Sequence, residues 1–87
     1  DLEQLRADWP TLSREQKIEQ FNQLPREEAE DLFLSLSPAD QSEIIQDLLP
    51  GQRRSWLRLL ALDDVADVLQ NMPAEIKEAS LDLLDAH

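Results

Sequence analysis

The chain has 87 residues, with nineteen Asp or Glu against eight Lys or Arg, a net charge of −11 and no cysteine. A chain of this length makes one small domain in which folding hides only roughly 60% of the unfolded surface, so there is little room for an enclosed pocket. The acidity excludes a nucleic-acid backbone, which needs a basic face, and suits cations or a basic protein patch, while the missing cysteines exclude disulfides and thiolate sites.

The opening Asp1-Leu2-Glu3 lacks an initiator Met and any signal-like pattern, as in a segment of a longer protein. Residues 1–11 show no period and read as an N-terminal cap or stub, with Trp9 before Pro10 expected to cover the open end of whatever follows. No apolar run approaches the ~20 residues that a membrane-spanning helix needs, so direct membrane insertion by this segment is not expected.

From residue 12 onward a period of twelve takes over. Leu12, Leu24, Leu36, Leu48, Leu60, Met72 and Leu84 mark it, and the ninth residue after each marker is also apolar: Phe21, Phe33, Ile45, Leu57, Leu69 and Leu81. Helix-start signals recur in the same phase. Ser13-Arg14-Glu15-Gln16 has capping-box spacing, in which the Ser hydroxyl takes the N3 amide and Gln16 reaches back. Ser37-Pro38-Ala39-Asp40 offers an N-cap Ser, a Pro at N1 and an acid in the positive first turn. Pro25 with Glu27 and Glu28, Pro50-Gly51, Asp63 with Asp64, and Pro73 with Glu75 repeat the idea.

Between these starts the apolar residues fall at helical spacing: Leu32, Phe33 and Leu36; Ile44, Ile45, Leu48 and Leu49; Trp56, Leu57, Leu59 and Leu60; Val65, Val68, Leu69 and Met72. Strand-like alternation is missing. Twelve residues hold one short helix and a tight turn, whereas the common helical repeats spend roughly 33 to 47 residues on two or three helices. The expected fold is therefore all-α: one domain over residues 1–87, with residues 12–87 forming a right- or left-wound superhelix of about six short helices. Helices of this length are marginal alone and hold only by packing on neighbours.

Phe21, Phe33 and Trp56 are expected in the core. Arg53, Arg54 and Arg58 form the one basic cluster and are expected to pair with acids of neighbouring rows. His87 has no ligand spacing around it and reads as a terminal residue. An enzyme is not expected, because the chain has no cysteine, no His before its last residue, no Gly-rich phosphate loop and no nucleophile–base arrangement.

Residues 24–84 resemble the cytosolic N-terminal domain of MgtE-type magnesium transporters and channels. The segments Leu36-Ser37-Pro38-Ala39-Asp40-Gln41-Ser42-Glu43-Ile44-Ile45-Gln46-Asp47-Leu48 and Leu59-Leu60-Ala61-Leu62-Asp63-Asp64-Val65-Ala66-Asp67-Val68-Leu69 carry the resemblance, with Pro25, Pro38, Pro50 and Pro73 at the row starts. The resemblance implies a short-helix superhelix on the cytoplasmic side of the membrane, followed by a pair of CBS domains and a transmembrane pore. It implies a magnesium sensor in which ions held between this domain and the CBS domains screen carboxylate repulsion, compact the cytosolic part and keep the pore closed. Carried over by position, the acids of that interface are Asp31, Asp63 and Asp67. Dimerisation in such proteins lies in other domains, so the isolated piece is expected to be monomeric, with weak Mg2+ binding shared with the partner domain.

Asp63 and Asp67 lie four apart on one helix face, where like charges repel unless a cation lies between them. Magnesium takes hard oxygen ligands, keeps several waters and often uses only one or two carboxylates. Asp63 reads equally as an N-cap just before a helix, Asp64 as a first-turn acid complementing the dipole, and Glu27, Glu28, Asp40 and Glu43 as a solvated face. The alternative function is a non-enzymatic interaction scaffold, either free-standing or related to the flagellar rotor switch protein, whose middle region has similar short-helix rows.

Overall fold

The computed structural model describes residues 2–48 and 50–85, apart from the side chains of Pro50 and Asp85. The expectations placed on Leu49 and His87 lie outside the described residues. Among the described residues there are seven α-helices and no strand. They are α1 (Leu2–Asp8), α2 (Arg14–Gln23), α3 (Arg26–Ser35), α4 (Pro38–Asp47), α5 (Pro50–Leu57), α6 (Leu62–Gln70) and α7 (Ala74–Asp85), with a 3₁₀ turn at Trp9–Thr11 after α1. The all-helical expectation is met.

The period of twelve has a simple construction. Helices α2, α3 and α4 are each ten residues long, and two extended residues join α2 to α3 and α3 to α4. The first of the two is the marker leucine, at φ −77°, ψ 142° for Leu24 and φ −82°, ψ 158° for Leu36. The second is the N-cap of the next helix, as at Ser37, φ −67°, ψ 159°. Because both joint residues lie in the extended region, the turn needs no left-handed residue. The rows therefore repeat with a single glycine in the whole chain, and that glycine does not have a positive φ.

Two backbone hydrogen bonds recur at the joints between described residues. The marker amide donates to the carbonyl three residues earlier: Leu12 to Trp9, Leu24 to Phe21 and Leu36 to Phe33, all at 3.2 Å, then Leu48 to Ile45 at 3.3 Å, Leu60 to Leu57 at 3.2 Å and Met72 to Leu69 at 3.1 Å. The N-cap carbonyl then accepts the first intrahelical bond at 2.9 Å, at Ser13, Pro25, Ser37, Ala61 and Pro73 alike. These bonds satisfy carbonyls at the end of one helix and anchor the start of the next.

The chain divides into two compact units, residues 1–36 and 37–87. In the first, α1 packs on the 3₁₀ turn and on α3, and Trp9, Phe21, Ala29, Leu32 and Phe33 are buried. Trp9 is 1% exposed, and the Lys17 Nζ lies 5.8 Å from its ring centroid. Residues 1–11, expected to lack the period, carry one member of it. Trp9 stands twelve before Phe21 and makes the same closing bond to its marker, Leu12, that Phe21 makes to Leu24.

In the second unit α4 packs on α5 and on α6, α5 on α7, and α6 on α7. A helix thus meets the next-but-one row as well as the next. Each ninth residue from Ile45 through Leu57 to Leu69 is buried, whereas Leu81 is 41% exposed, so the last row departs from the pattern of a buried ninth position. Full burial of one such aliphatic side chain is worth about 1.5–3 kcal/mol, which is what holds helices too short to stand alone.

Capping follows the sequence where the sequence supplies it. Ser13 and Gln16 form the reciprocal box, Ser13 N donating to Gln16 Oε1 at 2.9 Å and Gln16 N to Ser13 Oγ at 3.2 Å. Ser37 Oγ accepts from Asp40 N at 3.3 Å. Pro38 and Pro50 occupy the first helical position, while Pro25 and Pro73 stand one residue earlier, where their carbonyls open the next helix.

Within the basic cluster, Arg53 meets backbone where an inter-row ion pair with an acid was expected. Arg53 of α5 turns its guanidinium onto the end of α4, its Nε donating to the Ile45 carbonyl at 3.1 Å and its Nη2 to the Gln46 carbonyl at 3.2 Å. Its partners are backbone carbonyls at the negative end of a helix, a favourable place for a cation.

Candidate functional site

The three carboxylates singled out in the sequence are all exposed. Asp31 lies on α3 in the first unit, and Asp63 and Asp67 lie on α6 in the second. The N-cap reading of Asp63 is corrected: α6 begins at Leu62 and its N-cap is Ala61, which makes no side-chain cap. Asp63 and Asp64 are instead in the first turn, where the free amides and the helix dipole favour negative charge. Asp67 is one turn further on, and its carbonyl accepts from Asn71 Nδ2 at 2.8 Å.

The buried residues Val65, Val68 and Leu69 define the inner face of α6. At 100° per residue, Asp63 and Asp67 point almost opposite to them, so the pair projects into solvent. The same arrangement exists on α3, whose buried face is Ala29, Leu32 and Phe33. There, Glu27 and Asp31 hold the equivalent outward positions, both exposed. Glu15 and Glu19 repeat it on α2.

The outward face of three rows therefore carries two carboxylates one turn apart: Glu15 and Glu19, Glu27 and Asp31, Asp63 and Asp67. Asp31 and Asp67 are the seventh residues of their rows, and Glu27 and Asp63 the third. Glu27, read from sequence as one member of a solvated face, is thus the natural companion of Asp31. The signal that identifies it is the twelve-residue register applied to the acids as it was to the leucines.

The donor set fits magnesium in a limited sense. Two exposed carboxylates four residues apart repel by about 0.2–0.5 kcal/mol, and a divalent cation between them relieves that repulsion. They supply one or two of the hard oxygens that Mg2+ takes while keeping the rest of its waters. Among the described residues there is no group of three or more His, Cys, Asp or Glu side chains able to hold a metal ion. Each pair by itself offers at most two carboxylates to a cation.

The second unit also has an open apolar groove of about 550 Å³ between α5, α6 and α7, lined by Leu57, Leu60, Leu62, Ala66, Leu81 and Leu84 among others. It was not legible in the sequence, because its leucines belong to the same periodic set as the core. Among the described residues, no helix is long and apolar enough to cross a membrane.

No curated protein and no solved structure matches the chain. The family of the MgtE intracellular N domain matches it over residues 3–87, nearly its whole length. A chain of short acidic helices on a twelve-residue period, matched from one end to the other by that family, belongs to it: this is an MgtE intracellular N domain, from a family that forms a cytosolic part of magnesium transporters.

Proposed function

We propose that this domain senses intracellular magnesium for a transporter or channel, through Asp31, Asp63 and Asp67 at an interface with CBS domains of the same protein. The observation that carries this reading is the repeated outward carboxylate pair, Asp63 with Asp67 and Glu27 with Asp31, exposed on a domain of net charge −11. Two such surfaces repel when brought together. A hydrated divalent cation held between them removes much of that cost and shifts the population toward a compact arrangement.

Magnesium supplies only charge here, and the carboxylates position it. Binding by the isolated domain is weak, since half of each site comes from the partner. The test uses the intact protein. Raising Mg2+ at constant ionic strength slows proteolysis of the junction between this domain and its neighbour, and Asp63→Asn with Asp67→Asn shifts the midpoint to higher Mg2+. Protection that is indifferent to both substitutions and to Asp31→Asn overturns the assignment.

A further inference from the structure

We draw no further inference here: the strongest candidate, the open apolar groove between α5, α6 and α7, has Arg58 as the single charged residue among its described lining, and nothing in the structure shows what covers it.

Discussion

Ser37 and Ala61 occupy the same point of their rows with nearly the same backbone, φ −67°, ψ 159° against φ −65°, ψ 157°, yet only Ser37 closes a side-chain cap. The geometry at Ala61 is already that of a capping serine, and the missing part is one hydroxyl. Ala61→Ser should therefore stabilise the domain by about 1 kcal/mol, measured by urea denaturation with an unchanged m-value.

Gly51 offers a second gain in the same part of the molecule. It lies in the first turn of α5 without a positive φ, and a Cβ there meets nothing within 4 Å. Gly51→Ala should stabilise by about 0.5–1 kcal/mol, mostly by restricting the unfolded chain, and the same denaturation experiment reads it.

The arginines divide by what they touch. Arg53→Met keeps the aliphatic stem but leaves the Ile45 and Gln46 carbonyls without their cationic donor, and should cost about 1 kcal/mol after allowance for partial exposure. Arg58→Met, at an exposed position, should change stability by less than about 0.5 kcal/mol.

Leucines that look alike in the sequence should behave very differently. Leu57 is fully buried and Leu62 is 87% exposed. Leu57→Ala should cost about 3 kcal/mol, a large share of what a domain of this size has. Leu62→Ser should leave the thermal midpoint within a few degrees of the parent.

The repeat, the helical class and the positions of the row starts were legible because each depends on local chemistry that recurs every twelve residues. Ser13 with Gln16 and Ser37 with Pro38 declare their helix starts within four residues, and the structure realises both. What escaped depended on chain segments far apart in sequence, or on joints the side chains do not announce. The marker leucines Leu12, Leu24, Leu36 and Leu60 are only half-buried, and the deeper positions are their ninth-residue partners such as Phe33 and Leu57. Nothing local shows that Ala61, without a capping side chain, would still be the N-cap in place of Asp63. The role of Arg53 depends on how α5 lies against α4, and the place of Trp9 in the period was hidden because one member of a period cannot be seen as periodic.

The candidate site was legible in part for the same reason. Asp63 and Asp67 are four apart and needed only a helix to share a face, whereas Glu27 beside Asp31 became evident once the rows were aligned on their joints.

The central claim is that magnesium acts at particular carboxylates and not on the acidic surface as a whole. A titration of the isolated domain with MgCl2 at constant ionic strength, followed by amide NMR, tests it most directly. The account predicts weak, saturable shifts concentrated at Asp31, Asp63 and Asp67, with those around α6 lost in the Asp63→Asn, Asp67→Asn variant. Small uniform shifts across all the acidic rows, unchanged in that variant, would contradict it.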